Sequence, residues 1–220
     1  MSMLRDEGRG LILLGAGGHA RVLLSLVLAA GYRVLGVCDP ALARHEEKTW
    51  QGIPVLGEEE QALSRLDRES VGLINGIGQL VRSTRRRELY LEWTERGFCF
   101  PPLVHPNAWV DNSVVVANGA QVMAGAIIQP GCVIGENTIV NTGARIDHDT
   151  LVAEHVHIAP GAVLCGGVTV GTDAFVGAGA VVIQGVGIGA QCLVAAGATV
   201  TTGLGQGMSA YVPQALIKGR

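Results

Sequence analysis

The sequence predicts an α/β domain followed by a parallel β-helix. In the first half, strand-like apolar runs alternate with a helix-like run and glycine turns, and in the second half a six-residue repeat runs without interruption. Charge separates the halves, because residues 1–104 hold 13 of the 16 Lys and Arg and 13 of the 19 Asp and Glu. We therefore expect two domains, residues 1–104 and 105–220, that meet near Pro101, Pro102 and Pro106.

The composition limits the class of protein. A formal net charge of −3 leaves no basic surface for nucleic acid, so we expect no nucleic-acid partner. The five cysteines are odd in number and form no C-x-x-C pair, which argues against disulfides and a zinc site and favours a reducing compartment. The N-terminal residues MSMLRDEGRG lack the pattern of a signal peptide. We expect a cytoplasmic protein.

Residues 11–39 have the pattern strand, glycine turn, helix, strand. Gly15, Gly17 and Ala20 satisfy G-x-G-x-x-G/A, and Asp39 ends the second strand, where an acid can accept a hydrogen bond from a ribose hydroxyl. A tight turn without a ligand is the alternative. Only about 100 residues precede the repeat, so the pattern predicts a Rossmann-like half domain that holds one nucleotide, and it argues against a nicotinamide enzyme.

A third strand and a second helix follow in the first domain. VGLINGIGQL predicts a strand that runs into a glycine turn, and STRRRELYLEWTERGF predicts a helix that begins after Ser83 or Thr84. The arginines of this segment either neutralise phosphate or form a solvated helix face paired with glutamates, and we leave them unassigned. The arginines are Arg82, Arg85, Arg86 and Arg87, and the glutamates are Glu88, Glu92 and Glu95.

The repeat in the second half has a period of six residues. Every sixth residue from Val110 to Val200 is a branched aliphatic, and the residue two positions before each is small or β-branched. Side chains at i and i−2 lie on one side of a strand, and the Gly, Asn and Asp of each hexad suit a corner. The hexads therefore predict a parallel β-helix with an aliphatic interior.

The six-residue repeat also decides how the uncharged stretch 174–217 is interpreted. Hydropathy alone suggests a membrane span, but glycine recurs throughout and the hexads continue through it, so we expect β-helix and no membrane span. An uncharged outer face of this length implies a covering partner, and a second copy of the chain is the expected one.

The GAGGHA turn, Asp39, the NGIG turn and the IDHD segment of the β-helix together resemble the hexapeptide-repeat acyltransferase family. The resemblance covers nearly the whole chain. It points to the branch that contains PglD-like N-acetyltransferases of UDP-4-amino sugars and NeuD-like sialic acid O-acetyltransferases. The histidines lack ligand spacing with a third donor, so we expect no metal. The resemblance implies a left-handed β-helix with three hexads per coil, a homotrimer and acetyl-CoA as co-substrate. It also implies that a nucleotide-sugar is held by Gly17, Gly18, His19 and Asp39.

The chemistry of acyl transfer needs a base and an oxyanion donor. His148 is the candidate base and Asp149 its orienting acid, and both match the family's His-acid pair. Gly166 lies eighteen residues after His148, so it should stack on the histidine one coil away, at about 4.8 Å, with its N–H available to an acetyl carbonyl. His157 matches a family histidine at the acetyl-CoA site. It lies half a coil from His148, which predicts active sites between protomers.

The resemblance leaves the acceptor open. We expect N-acetylation of a nucleotide-linked amino sugar, in the biosynthesis of surface glycans. The segment NGIGQLVRST departs from the G-[DN]-N turn of many sugar-nucleotide members and is closer to NeuD-like sequences, which keeps sialic acid O-acetylation as an alternative. A non-catalytic nucleotide-sugar scaffold is the third hypothesis. The tail YVPQALIKG departs from the family's G-V-P-A-K, so we assign no CoA contacts to it.

Overall fold

The structure is a computed structural model, and it describes residues 10–212. The expectations for the N-terminal segment 1–9 and for residues 213–219 of the tail lie outside the described residues. The elements of the first part of the chain are β1 (Gly10–Leu14), α1 (Gly18–Ala29), β2 (Val34–Cys38), α2 (Pro40–Arg44), β3 (Thr49–Trp50), β4 (Ile53–Gly57), α3 (Glu59–Leu63), β5 (Val71–Asn75) and α4 (Arg85–Glu95). The strands form a five-stranded sheet of order β3-β4-β2-β1-β5, in which only β3 is antiparallel to its neighbour.

The order of strands creates a crevice in this sheet. The chain passes from β1 through α1 to β2 on one side, while β5 pairs with β1 on the other. A ligand site is expected where the strand order reverses, outside the carboxyl ends of β1 and β5. Both strands end there in glycine turns, GAGG after β1 and NGIG after β5.

The second part of the chain is a left-handed parallel β-helix with three faces. Face 1 consists of β7 (Trp109–Val110), β10 (Ile127–Ile128), β13 (Arg145–Ile146), β16 (Val163–Leu164), β19 (Val181–Val182) and β22 (Thr199–Val200). Face 2 consists of β8 (Val115–Val116), β11 (Val133–Ile134), β14 (Leu151–Val152), β17 (Thr169–Val170) and β20 (Gly187–Ile188). Face 3 consists of β6 (Leu103–Val104), β9 (Gln121–Val122), β12 (Ile139–Val140), β15 (His157–Ile158), β18 (Phe175–Val176), β21 (Leu193–Val194) and β23 (Ser209–Ala210).

The predicted hexad register is confirmed strand by strand. Each of the sixteen aliphatic positions from Val110 to Val200 ends a two-residue strand, and strands eighteen residues apart pair in parallel. Their side chains, with the small residues two positions earlier, fill one apolar interior. The stretch after Ala174 belongs to this β-helix as far as it is described. None of the helices in residues 10–212 has the length and hydrophobicity that a bilayer crossing requires.

From Gly119 to Gly197, each corner of the β-helix contains one residue with positive φ, at six-residue intervals. Corner 3, which joins face 3 to face 1, uses only glycine for this backbone conformation, as steric limits favour. Corner 1 joins face 1 to face 2 and has Asp149 at one such position. Corner 2 joins face 2 to face 3, and three of its left-handed residues are Asn137, His155 and Asp173.

The N-terminal domain packs on face 3 and corner 2. Leu103, Met123 and Ile139 of face 3 share an apolar cluster with side chains of α1 and β1. Tyr90 of α4 packs edge-on against His155, and its hydroxyl donates to Glu136 Oε2 at 3.0 Å. The side chains at the left-handed positions of corner 2 therefore serve the contact between the two domains.

Candidate active site

The glycine turn after β1 exposes the N-terminus of α1. Gly17 is the N-cap residue and provides no side-chain cap, and the first turn contains no acidic residue. A Cβ at Gly17 or Gly18 would meet no atom within 4 Å, so open space adjoins the free N–H groups. This arrangement is suited to a phosphate, because helix N-termini carry partial positive charge and unpaired donors.

Asp39 fixes the geometry of this turn. Its Oδ2 accepts from Ala16 N at 2.9 Å, and its Oδ1 accepts from Ala41 N at 2.8 Å and Leu42 N at 3.0 Å. The carboxylate thus caps α2 and ties it to the glycine turn. A carboxylate has about four acceptor positions, so one is left for a ligand hydroxyl.

His19 faces the β-helix. Its Nε2 lies 2.8 Å from Gln121 Oε1, and Gln121 Nε2 donates to Asn75 O at 3.0 Å. Because the Gln121 amide presents its oxygen, His19 Nε2 carries the proton and Nδ1 is the acceptor. Burial, helped by the charge of Arg86, lowers the pKa of His19 to about 4. His19 is therefore neutral at physiological pH.

The NGIG turn packs against the GAGG turn. A Cβ at Gly76 would lie 2.6 Å from Leu14 O, and one at Gly78 would lie 3.2 Å from His19 Cβ. The close approach requires glycine at position 76, because the atom it would meet is backbone. The two turns thereby form adjoining walls at the carboxyl ends of β1 and β5.

The arginines after this turn do not form one solvated face. Arg85 is exposed, but Arg86 is 2% exposed and Arg87 pairs with Asp173 on corner 2. The glutamate-paired face, one of the two alternatives left open, does not hold for Arg86 and Arg87, because α4 turns that side toward the β-helix. Thr84 is the N-cap residue of α4, but its side chain makes no cap hydrogen bond and instead donates to Glu88.

His148 and Asp149 lie together on corner 1. His148 Nδ1 lies 2.9 Å from Asp149 Oδ2, so Nδ1 donates to the carboxylate and Nε2 keeps its lone pair. The hydrogen bond to Asp149, with the charge of Asp147, raises the pKa of His148 above its ordinary value. The imidazole is exposed, with a free nitrogen that can accept a proton.

Gly166 stacks on His148, as eighteen-residue spacing predicts. A Cβ at Gly166 would lie 2.5 Å from His148 Nε2, so no side chain fits between them. The Gly166 N–H makes no hydrogen bond within residues 10–212. A base nitrogen and an unpaired backbone donor therefore share one small space on corner 1.

His157 lies elsewhere, on the outer side of face 3. Its ring stacks on Phe175 with centroids 4.7 Å apart, and its Nε2 is 3.4 Å from Asn141 Nδ2. Its Nδ1 is buried without a partner in the described part of the chain. Burial, with the charges of His19 and Arg86, lowers the pKa of His157 to about 3. In one chain, His148 and His157 are on different sides of the β-helix.

Sequence reasoning did not identify Asn75, Gln121 or Asn141. Asn75 ends β5, donates to Arg86 O at 2.8 Å and to Asn137 Oδ1 at 3.2 Å, and is fully buried. Gln121 lies between Leu103 and Ile139 in one column of face 3, and a polar residue between two apolar neighbours was the available signal. Residues 10–212 hold no group of three or more His, Cys, Asp or Glu side chains that could bind a metal ion.

Two protein-family models match the sequence. Residues 10–90 match the PglD N-terminal domain, and residues 113–148 and 149–184 match the bacterial transferase hexapeptide repeats. A comparison with curated protein sequences finds no match.

Solved structures resemble the whole chain. The acetyltransferase domain of PglB from Neisseria gonorrhoeae is 32% identical with a TM-score of 0.83, and the match covers 91% of this chain and 95% of that one. Perosamine N-acetyltransferase from Caulobacter crescentus, a histidine variant in complex with CoA and GDP-perosamine, is 35% identical with a TM-score of 0.84, over 96% and 97%. WeeI from Acinetobacter baumannii shares the fold, with 21% identity, a TM-score of 0.80 and coverage of 90% and 94%. The chain belongs to the family of hexapeptide-repeat transferases that carry a PglD-type N-terminal domain.

Proposed function

We propose that the protein is an acetyl-CoA-dependent N-acetyltransferase that acts on the amino group of a nucleotide-activated sugar. The observation that carries the proposal is the His148–Asp149 pair stacked on the unpaired N–H of Gly166. The structures of similar sequence support it, because the N. gonorrhoeae domain is described with acetyl coenzyme A and the C. crescentus enzyme with CoA and GDP-perosamine. By this proposal residues 1–104 hold the nucleotide-sugar, and residues 105–220 hold acetyl-CoA.

The geometry suits direct transfer. The sugar amine attacks the thioester carbonyl while His148 Nε2 takes a proton from the nitrogen, and Asp149 stabilises the imidazolium. The oxyanion of the tetrahedral intermediate accepts from Gly166 N–H. Collapse breaks the carbon–sulfur bond, and the CoA sulfur leaves with the proton that His148 returns. The products are the amide and CoA, and His148 is neutral again.

The acceptor would be held at the crevice between the two glycine turns. The N-terminus of α1 supplies N–H donors for the diphosphate, and Gly17 and Gly18 leave room for it. Asp39 orients the turn and keeps one acceptor position for a hydroxyl. The neutral His19 offers its Nδ1 lone pair to a substrate hydroxyl or amine.

The nucleotide crevice and the cluster of His148, Asp149 and Gly166 are the two half-sites, and they lie apart within one chain. The nucleotide crevice adjoins face 3 and corner 2, whereas His148 lies on corner 1, which is the corner opposite face 3. A complete active site therefore requires a second chain. Val115, Val133 and Leu151 form an exposed apolar column on face 2, next to corner 1, which suits burial against another copy. We infer a homotrimer whose sites combine His148 of one chain with His157 and the nucleotide crevice of another.

Four cysteines, Cys38, Cys132, Cys165 and Cys192, support a cytoplasmic location, because they are free thiols within residues 10–212. A reducing compartment is also where acetyl-CoA and nucleotide-sugars would meet in this proposal.

An acceptor panel tests the proposal. Release of the CoA thiol from acetyl-CoA is measured with UDP-4-amino sugars, GDP-4-amino sugars, and free or CMP-linked sialic acids. We expect turnover with an amino-sugar nucleotide and an amide product. Turnover only with a sialic acid would assign O-acetylation instead. Nucleotide-sugar binding without turnover on any acceptor would favour the scaffold hypothesis.

A further inference from the structure

Arg86 is a buried cation without a counter-ion. Its side chain, in the first turn of α4, is 2% exposed. No carboxylate within residues 10–212 pairs with it, and its Nη2 has no hydrogen-bond partner there. Burial lowers the pKa of Arg86 to about 9, so the guanidinium is still charged at neutral pH. Burying an unpaired charge is costly, and an apolar side chain of similar volume is often more stabilising.

All partners of the guanidinium are backbone carbonyls. Nη1 donates to Asn75 O at 3.0 Å and to Ile77 O at 2.7 Å, and Nε donates to Asn137 O at 3.3 Å. Asn75 and Ile77 flank Gly76 in the NGIG turn, and Asn137 is a left-handed residue of corner 2. One planar group thus joins the second wall of the nucleotide crevice to the β-helix.

The connection extends to the first wall of the crevice. Asn75 O also accepts from Gln121 Nε2, and Gln121 Oε1 accepts from His19 Nε2. Gly76 packs on the backbone of Leu14 and Gly15 at a distance that excludes a Cβ. A shift of the NGIG turn would therefore move the GAGG turn and His19 with it.

We propose that Arg86 is a positioning residue for acetyl transfer, which holds the nucleotide crevice at a fixed place relative to the β-helix. This inference rests on the proposed function. Arg86 touches no substrate atom in this account. It acts through the carbonyls of Asn75, Ile77 and Asn137, which a guanidinium can bind together because its donors are arranged in a rigid plane. The charge of Arg86 also helps to lower the pKa values of His19 and His157, which supports neutral imidazoles at the crevice.

The test compares Arg86→Met and Arg86→Lys with Arg85→Met as the matched control. Arg85 is the neighbouring residue of α4 and is exposed. We expect kcat with the preferred amino-sugar nucleotide to fall about tenfold or more in both Arg86 variants, because small displacements of bound reactants are costly. The KM for acetyl-CoA should stay within about twofold, since the hydrogen bonds of Arg86 reach neither corner 1 nor His157. Arg85→Met should match wild type.

Hydrogen exchange supplies a second measurement that does not depend on turnover. Amides of residues 75–78 should exchange faster in Arg86→Lys, while amides of face 1 keep their wild-type protection. Arg86→Lys keeps the charge and three donors, so it provides a folded variant if Arg86→Met does not fold.

Three outcomes would overturn the assignment. A folded Arg86→Lys or Arg86→Met with wild-type kcat would show that positioning does not depend on the guanidinium. A uniform loss of protection, with kcat and acetyl-CoA binding falling together, would show a purely structural role. A wild-type protein inactive with every acceptor would contradict the proposed function and this assignment together, whereas an active wild type with the first outcome would contradict only the assignment.

Discussion

His148 and Asp149 form a pair because of the corner that carries them. Asp149 takes the left-handed conformation at φ 56°, which Asp and Asn tolerate better than most residues, and this conformation brings its carboxylate to His148 Nδ1. The carboxylate sets the tautomer and strengthens the base. Asp147 accepts from the backbone N–H of His148 at 2.9 Å and adds negative charge nearby.

Asp149→Asn should change the pH dependence of kcat/KM. The folded pKa of His148 is raised, so the base form is lost as pH falls through a value above 6.5. The amide removes the main cause of that shift, and the acidic limb of the pH profile should therefore move to lower pH. The plateau rate should fall about tenfold or more, because the base is weaker and less well oriented. Asp147→Asn is the control, and its shift should be smaller, since it keeps the hydrogen bond. An unchanged acidic limb in Asp149→Asn would contradict the assignment.

Gly166→Ala should abolish most activity without unfolding the β-helix. The added methyl would lie 2.5 Å from His148 Nε2, so the imidazole must move from its position over the Gly166 N–H. Alanine keeps its backbone N–H, but the displaced imidazole no longer lies over that donor, and misplacement of a catalytic group by about 1 Å costs about a hundredfold in rate. Gly203→Ala is the control, because its Cβ would meet only Gly187 O at 3.4 Å. Steady-state kinetics and thermal unfolding of both variants test this prediction. A folded Gly166→Ala variant with wild-type activity would contradict the role of Gly166 beside His148.

The elements of the β-helix were largely predictable because each hexad repeats the same local geometry. The prediction ends at Val200, because the six-residue spacing of inward residues is lost after it. The hexads place the next inward residue at position 206, but Leu204 bridges to Ile188 and Ala210 ends β23. In the first domain the βαβ unit, β5 and α4 were predicted. The missed elements α2, β3 and α3 are two to five residues long and too short for a periodic signal, and β4 contains Pro54, which argues against a strand.

The burial of Arg86 was not predictable from α4 alone. The helix RRRELYLEWTE has the charge pattern of a solvated surface. Its apolar residues Leu89, Tyr90 and Trp93 pack in the core of the first domain, and nothing in their spacing indicates that Arg86 reaches corner 2. Asn137, a partner of Arg86, lies 51 residues away in sequence. The His148–Asp149–Gly166 cluster was predictable because a fixed period of eighteen residues converts sequence separation into spatial neighbourhood.

The contact between the domains should weaken in mild acid. His19 and His157 have folded pKa values of about 4 and about 3, both below the ordinary value of 6.5 that applies when the chain is unfolded. Unfolding therefore takes up protons below pH 6.5, and stability present above that pH is lost as pH falls toward 4 and 3. Denaturant unfolding at pH 7.5 and pH about 5 should show a lower midpoint at the acidic pH. In His19→Gln this drop should be smaller, and an equal drop would contradict the buried neutral state of His19.

At the scale of the whole molecule, the homotrimer that we propose makes the assembly part of the catalyst, because the two half-sites lie apart within one chain. Mixed trimers test this directly. Chains with His148→Ala and chains with His157→Ala should each be inactive as homotrimers. Co-expressed in equal amounts, they should regain about a quarter of wild-type activity. Each site takes His148 from one chain and His157 from another, and each of these two residues is intact in about half of the chains. Sites built within one chain would give no recovery, since every chain lacks one histidine.

Acetyl transfer by wild type and by His148→Ala, measured side by side on the amino-sugar nucleotide that the panel selects, tests the central claim most directly. We expect CoA release and amide formation by wild type. In the variant the rate should fall about a hundredfold to ten-thousandfold, with nucleotide-sugar and acetyl-CoA binding unchanged. A His148→Ala variant that acetylates the amino sugar at close to the wild-type rate would contradict it.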